Sequence, residues 1–226
     1  MIKISPSTMP RQLPGTLPIF PLAGALLLPR GRLPLHIFEP RYVEMVDDCL
    51  VSDRMIGMVQ PIDGKAHAGS HDEAPVVYST GCAGRITSFS DNEDGHYLIT
   101  LTGVSRFRIQ REHPSQGSYR RVEPEWRGFA DDLREDGAEP HFDRSRLLVA
   151  LPGYLDNYEI TADWQTIESA PDERLVTSLA MVCPFRPSEK QALLEIPTLA
   201  ERAEMLTALI EMAVIRGGDG GRYTCH

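Results

Sequence analysis

The side chains best suited to binding a metal ion occur together in one polar segment of this sequence. They are two imidazoles and two carboxylates, at His67, His71, Asp72 and Glu73. Such a set could ligate a divalent cation. However, residues 61–74 show no hydrophobic periodicity, and ligands on an irregular loop must lose conformational entropy before they bind. The pattern therefore indicates a solvent-exposed loop, and we expect neither a metal ion nor another cofactor.

Two further residue pairs resemble parts of catalytic sites. Ser188 and Lys190 could supply a nucleophile and its base, but residues two apart in a helix do not face each other, so we expect both on a solvated helix end. Gly64-Lys65 is followed by alanine and lacks the upstream glycine of a phosphate-binding loop. Neither G-x-S-x-G nor H-E-x-x-H occurs. The sequence therefore predicts a protein without enzymatic activity.

The charge of the chain limits the kinds of partner. The 226 residues carry a formal net charge of −9. Proteins that bind a phosphate backbone tightly need clustered Lys and Arg. The local pair Arg106 and Arg108 falls on one face of a strand by alternation, and we predict that this face is solvated. We therefore expect no tight binding of nucleic acid.

Cysteine and proline usage bears on the compartment. The four cysteines are scattered without C-x-x-C spacing, and Cys49 and Cys183 fall in apolar segments, where we expect buried small residues in a reducing environment. The apolar stretch 13–29 contains four prolines, which would break the helix of a signal peptide. No segment approaches the roughly 20 apolar residues of a membrane span. We predict a cytoplasmic protein without membrane contact.

The N-terminal part begins with short apolar runs separated by Pro and Gly. Three of them have the length of a strand, namely 17–21, 25–28 and 32–38. Glu39-Pro40 then marks a helix start, because proline fits the first helical turn and a carboxylate complements the helix dipole. We predict a helix at about 40–52, with Glu39 and Arg41 capping it and tying it to the neighbouring sheet by an ion pair.

Beyond this helix the period of the apolar residues becomes two, which is typical of strands. The predicted strands are 54–60, 76–78, 81–89, 97–104, 105–110 and 119–122. Residues 90–95, rich in Asp, Asn and Gly, form a hairpin connection. Closely spaced short strands favour a closed or nearly closed barrel, because closure removes the exposed edges of a sheet.

Helical periodicity occupies the remainder of the chain. Predicted helices are 144–157, for which Asp143 is the predicted cap, 164–169 and 172–183. Two more begin near Ser188 and Thr198. Ser188 with Gln191, and Thr198 with Glu201, have the spacing of a capping box. The acidic stretch before them predicts a linker. The predicted organisation is a flexible arm (1–14), a strand-rich part (15–127), the linker (128–142), a helical bundle (143–217) and a flexible tail (218–226).

The segment 20–46, FPLAGALLLPRGRLPLHIFEPRYVEMV, resembles the opening of the LON substrate-binding domain. This is the N-terminal domain of Lon-type ATP-dependent proteases and also occurs in free-standing bacterial proteins. The agreement includes FPL at 20–22, LLLPRG at 26–31 and IFEPRY at 37–42. The resemblance implies an α+β fold, mainly β in its N-terminal part, in which a PUA-like β-pseudobarrel is followed by a C-terminal helical bundle. Full-length Lon proteases add an ATPase and a Ser/Lys peptidase, whose motifs do not occur in this sequence.

The resemblance implies a non-catalytic module that recognises unfolded or degron-bearing polypeptides, or an adaptor that acts with a separate ATP-dependent protease. Its binding surface would be an apolar groove between barrel and helices, or a strand edge that accepts an extended peptide. The candidate polypeptide-binding residues are Leu33, Leu35, His36, Phe38, Glu39, Arg41 and Tyr42. The alternative is a small-molecule-binding or weakly hydrolytic protein that uses the same groove. RNA binding through the barrel is a third reading, and weak self-association to a homo-oligomer is left open.

Overall fold

The structure is a computed structural model that describes residues 2–3, 13–62, 75–92, 94–114, 118–134 and 142–218. Three predicted features lie outside these residues. They are the histidines and carboxylates of the polar loop at 61–74, most of the predicted arm, and the end of the predicted tail. Strands predominate in the first part of the chain, with one α-helix among them, and helices alone follow. The predicted α+β class is confirmed.

Seven strands form one sheet among the described residues. They are β1 Ile2–Lys3, β2 Leu17–Pro21, β3 Arg32–Ile37, β4 Met55–Val59, β5 Thr80–Asp91, β6 Tyr97–Glu112 and β7 Arg121–Glu125. The order is β1-β5-β4-β2-β7-β6-β3, and β5 also pairs with β6. Five strands therefore close into a ring, β5-β4-β2-β7-β6, whereas β3 and β1 extend it beside β6 and β5. The ring is the predicted barrel.

The interior of the ring is filled by apolar side chains from several strands. Its buried residues are Leu17, Ile19, Met55, Val59, Ala83, Phe107 and Val122. Phe107 occupies the centre, because methyl groups added at either Gly57 or Gly81 would lie 2.8 Å from its ring. The small residues on β4 and β5 therefore make the space that one large aromatic ring fills.

The prediction of a strand at 25–28 is wrong. Leu26, Leu27 and Leu28 are all at most 2% exposed, without the alternation of a strand that has one wet face. The backbone of this segment instead passes close to β6, where a methyl group added at Gly103 would lie 2.0 Å from the Leu28 carbonyl oxygen. Three consecutive apolar residues can thus be buried by a coil that packs over a glycine.

Two other strand predictions need correction. Residues 76–78 form no strand but only an isolated bridge between Pro61 and Val77. The two strands predicted at 97–104 and 105–110 are one, because β6 runs without interruption from Tyr97 to Glu112. Register shifts in its pairing with β5 and β7 bend this long strand from one side of the barrel to another.

Six α-helices lie within the described residues: α1 Pro40–Leu50, α2 Arg144–Asn157, α3 Trp164–Ser169, α4 Asp172–Val182, α5 Pro187–Glu195 and α6 Leu199–Gly218. The capping box at the start of α6 is confirmed, since the Glu201 backbone N–H donates to Thr198 Oγ1 and the Thr198 N–H donates to Glu201 Oε2. The box predicted for Ser188 and Gln191 is wrong. The reciprocal carboxylate of α5 is Glu189, which accepts from the Arg186 backbone N–H.

The described residues form two compact units. The first contains the described residues up to 134 and also Pro184–Glu195, whereas the second contains 142–183 and 196–218. Helix α5 therefore groups with the strands, although the sequence places it in the helical region. Its buried polar side chains explain this: Lys190 Nζ donates to the Gly24 carbonyl at 2.9 Å and Gln191 Nε2 donates to the Thr80 carbonyl at 3.1 Å. The expectation that Lys190 is solvated is thus wrong, because its side chain is 6% exposed.

The prediction of a solvated face at Arg106 is wrong for the same reason. Its side chain is 4% exposed, because a 3₁₀ helix at Arg127–Leu133 brings the Asp132 carboxylate over it. Arg108, two residues along, is exposed. The 3₁₀ helix occupies the start of the stretch predicted as a linker.

The second unit has its core between α2, α4 and α6. Leu147 and Leu151 of α2, and Leu206 and Ile210 of α6, are completely buried. Asp143 caps α2 by accepting from the Arg146 backbone N–H, as predicted. Within the described residues no helix is long and apolar enough to cross a membrane.

Candidate functional site

Strand β3 carries three of the seven predicted binding residues, Leu33, Leu35 and His36, and lies at an end of the sheet. Among the described residues its one sheet neighbour is β6, with Leu35 opposite Ile99 and His36 opposite Leu98. Leu35 and Ile37 point into the protein, with 9% and 1% exposure, whereas the alternate residues Pro34 and His36 are exposed. In the part of the chain that the structure describes, the outer edge of β3 therefore pairs with no further strand and lies next to side chains that point outward.

The outward side chains at the end of β3 form a small aromatic and apolar cluster, which we call the Phe38 patch and which consists of His36, Phe38, His96 and Leu98. The ring centroids are 5.7 Å apart for His36 and Phe38, 5.3 Å for the two imidazoles, and 6.2 Å for Phe38 and His96. Phe38 is 58% exposed and Leu98 is 47% exposed. The patch therefore presents apolar surface to water beside an accessible strand edge.

The structure divides the predicted binding residues into two groups. His36, Phe38, Glu39 and Arg41 are partly or largely exposed, and Leu33 is half-buried. Leu35 and Tyr42 are buried, with 9% and 6% exposure. Tyr42 packs against Phe20 at 4.2 Å between ring centroids. These two residues can support the surface from inside, but they do not offer a contact surface themselves.

Glu39 and Arg41 differ from the expectation for them. The Glu39 side chain makes no capping hydrogen bond, although its backbone carbonyl accepts from the Val43 N–H at 3.0 Å. The two side chains pair with each other at 2.7 Å, about half exposed, and the guanidinium stacks over the Tyr42 ring at 4.6 Å from its centroid. They therefore form a polar rim beside the Phe38 patch and do not tie α1 to the sheet.

Helix α1 is fixed to the sheet by hydrogen bonds from tyrosines to its acidic residues. Tyr97 donates to Asp47 Oδ1 at 3.0 Å, and this hydrogen bond raises the pKa of the Tyr97 hydroxyl. Tyr119 donates to Asp48 Oδ2 at 2.5 Å, and burial is the main cause that raises its pKa. Tyr97 directly follows His96 of the patch, so its contact holds the patch and the C-terminal half of α1 in a fixed relation.

Sequence reasoning missed His96 and Leu98. Leu98 belongs to β6 and His96 directly precedes that strand, and their place beside β3 depends on the register in which the strands pair. Alternation did contain a signal for Leu98, because an apolar residue between Tyr97 and Ile99 faces away from the core. Within the described residues no three side chains of His, Cys, Asp and Glu lie close enough to hold a metal ion.

Comparison with known proteins identifies the family to which this chain belongs. The chain belongs to the family of the ATP-dependent protease La (LON) substrate-binding domain, whose model matches residues 16–212. The resemblance found in the sequence is therefore confirmed.

Curated relatives agree with this membership. Lon protease 1 of Bdellovibrio bacteriovorus is 26% identical over 207 residues, covering 88% of this chain and 25% of the relative. Lon protease 2 of Thermus thermophilus is 24% identical over 208 residues, covering 88% of this chain and 24% of the relative. The chain thus spans about a quarter of the length of these relatives.

Solved structures show the same fold. A Lon N-terminal domain protein from Xanthomonas campestris matches with a TM-score of 0.59 and 24% identity, over 85% of this chain and 97% of that one. The N-terminal domain of Mycobacterium avium complex Lon protease matches with a TM-score of 0.56 and 16% identity, over 86% and 97%. The predicted order along the chain, a barrel followed by helices, is thereby confirmed.

Proposed function

We propose that this chain is a non-catalytic polypeptide-binding module whose contact surface is the Phe38 patch. The observation that carries the proposal is the 58% exposure of Phe38, an aromatic ring that ends an accessible edge strand and touches other rings. Its clients are unfolded or degron-bearing segments, because only these offer large apolar side chains and unpaired backbone groups together.

The patch provides one apolar anchor. Burying a side chain of the size of Phe contributes about 1.5–3 kcal/mol, so the patch alone gives weak and reversible binding. Additional affinity comes from main-chain hydrogen bonds if the client lies along β3 as an extra strand. Pro34 has no N–H to offer, which restricts strand addition to the end of β3 near His36 and Phe38. The client therefore needs only a short extended segment with one large apolar side chain.

The other predicted residues have supporting roles in this proposal. Leu35 and Tyr42 fix the surface from below, because both are buried. The Glu39 and Arg41 pair borders the patch with one charge of each sign. Such a rim orients a client without selecting strongly for its net charge.

The partner that would act on a bound client is a separate ATP-dependent protease. The support for this is the family, together with the curated relatives, which are named Lon protease. In this proposal the module presents a client and another chain degrades it.

The test is a titration of the protein against a fluorescently labelled, permanently unfolded polypeptide at physiological salt, read by fluorescence anisotropy. Phe38→Asp should weaken binding about tenfold or more, because it replaces an apolar contact by a charge that must lose water. Val51→Asp is the matched control, since Val51 is also in the first unit, is 88% exposed and lies outside the patch. It should leave the affinity unchanged.

Further arms separate the alternatives. Leu98→Asp, on the neighbouring strand, should weaken binding as Phe38→Asp does. A folded counterpart of the unfolded polypeptide should not bind. Equal affinity of Phe38→Asp and the unchanged protein, with both folded by circular dichroism, would refute the patch as the site. Binding of an RNA oligomer that weakens steeply with salt would favour nucleic acid instead.

A further inference from the structure

The second unit contains an open groove between α2 and α6 of about 500 Å³. Its apolar lining includes Val149 of α2 and Val214 and Ile215 of α6. The groove is distinct from the Phe38 patch, because all of its lining residues belong to the second unit.

The apolar residues of the groove are more exposed than the packing of α2 and α6 requires. Val149 is 82% exposed and Ile215 is 70% exposed, whereas Leu147 and Ile210, on the same helices, are completely buried. Met212, one turn before Ile215, is 43% exposed and extends the apolar stripe along α6. The two helices thus have a second apolar face besides the one that forms the core.

The border of the groove is acidic. Arg146 pairs with Glu211 through two short contacts, Nε to Oε1 at 2.7 Å and a terminal guanidinium nitrogen to Oε2 at 2.6 Å. The hydrogen bond that Arg146 donates to Glu211, together with the charges of Glu211, Asp143 and Glu204, raises the pKa of the Arg146 guanidinium. Two carboxylates, Asp143 and Glu211, line the groove with one guanidinium, and the exposed Glu204 lies about two turns before Glu211 on α6, so the border is net negative.

We infer that this groove is a docking site for a cationic amphipathic helix of a partner protein. The apolar side of that helix covers Val149 and Ile215, and its Lys or Arg side chains meet Asp143 and Glu204. Charge complementarity selects this occupant over a second copy of the chain. A second copy would bring the same acidic border, and each chain carries a formal net charge of −9.

The experiment uses a labelled amphipathic peptide built only of leucine and lysine, with leucines at helical spacing, and the whole protein. The double substitution Val149→Asp with Ile215→Asp should lower its affinity about tenfold or more, because it places charges in the apolar contact. Val182→Asp is the matched control, because Val182 is 71% exposed on α4 of the same unit and does not line the groove. It should leave the affinity unchanged.

The charge of the border is tested separately. Glu204→Lys, at the surface of α6, should weaken the lysine peptide about two- to fivefold, and raised salt should reduce that difference. A peptide with glutamate in place of lysine, or one with the leucines scrambled, should not bind. Equal losses in Val182→Asp and the groove variant, or binding of the glutamate peptide, would overturn the inference. So would a concentration-dependent dimer, seen by sedimentation, that the groove substitutions abolish. Phe38→Asp should not change the affinity for this peptide, so the two sites are tested independently.

Discussion

Arg106 and Asp132 form an ion pair that is almost completely buried, with 2.7 Å between the closest atoms and side-chain exposures of 4% and 8%. The carboxylate also accepts from the Arg106 backbone N–H at 2.8 Å, and the guanidinium donates to the Leu194 carbonyl at 3.2 Å. The Phe129 ring lies 5.0 Å from the guanidinium carbon. One arginine thus joins β6, the 3₁₀ helix and α5 within the first unit.

Removing the carboxylate should destabilise the protein strongly. Asp132→Ala leaves a guanidinium buried without its counter-charge, and the expected loss in the free energy of unfolding is about 3–5 kcal/mol. Glu123→Ala is the control, because the Arg111 and Glu123 pair is 69% and 40% exposed and should contribute about 0–1 kcal/mol. Urea denaturation of both variants measures the difference. Similar midpoints for the two would contradict the importance of the buried pair.

A methyl group at Gly103 should be tolerated poorly. It would lie 2.0 Å from the Leu28 carbonyl oxygen, which belongs to the backbone and cannot rotate away. The expected loss for Gly103→Ala is about 3 kcal/mol or more, at the upper end for an overpacked core. Gly15→Ala, with no atom within 4 Å of the added methyl, should be nearly neutral. Thermal unfolding of the two alanine variants distinguishes them, and equal melting temperatures would mean that the segment 25–28 does not lie against β6.

Cys49 should make stability fall at alkaline pH. Burial is the main cause that raises the pKa of its thiol from 9.0 to about 12. Between these values the unfolded chain loses the proton and the folded chain keeps it. The unfolded state then binds fewer protons, so the free energy of unfolding decreases as the pH rises, by about 1.4 kcal/mol per pH unit for this group.

Cys49→Ala removes this contribution, although it lowers stability at neutral pH by leaving a small cavity. Urea denaturation at several pH values from about 8 to 10.5 compares the slopes. The variant should show the shallower decline. Parallel curves for the two proteins would show that the thiol ionises equally in both states.

Pro34 should limit pairing at the outer edge of β3. Proline on an edge strand offers no N–H and so discourages strand addition. Pro34→Val supplies an N–H and a residue that favours strands. We expect increased self-association, which sedimentation velocity at several protein concentrations measures, and tighter binding of the unfolded polypeptide. No change in either quantity would show that this edge does not accept strands.

Local patterns predicted well those elements whose ends carry chemical signals. Helix α1 begins at Pro40 as expected, and α2 follows the Asp143 cap. Cys49 and Cys183 are buried, as their apolar surroundings indicated. In each case the signal lies within a few residues of the feature, so no knowledge of distant partners is needed.

Predictions that depended on distant partners were less successful. Arg106 looks solvated by alternation, but its counter-charge Asp132 is 26 residues away in a stretch with the composition of a linker. Lys190 has its acceptor at Gly24, 166 residues away. In the Phe38 patch, alternation along β3 correctly separates Leu35 from His36, but only the register with β6 brings Leu98 beside them. Burial of polar groups and strand register are set by tertiary contacts, which a single sequence does not contain.

The grouping of α5 with the strands has a consequence for the order in which the protein can fold during synthesis. The ribosome delivers β1 to β7 first, then α2, α3 and α4, and only afterwards the segment Pro184–Glu195. Until then the hydrogen bonds from Lys190 to the Gly24 carbonyl and from Gln191 to the Thr80 carbonyl cannot form. Helix α6, which completes the other unit, follows almost immediately. Both units can therefore complete their folding only after α5 and α6 have been synthesised, and a nascent chain stalled before α5 would remain a client for chaperones.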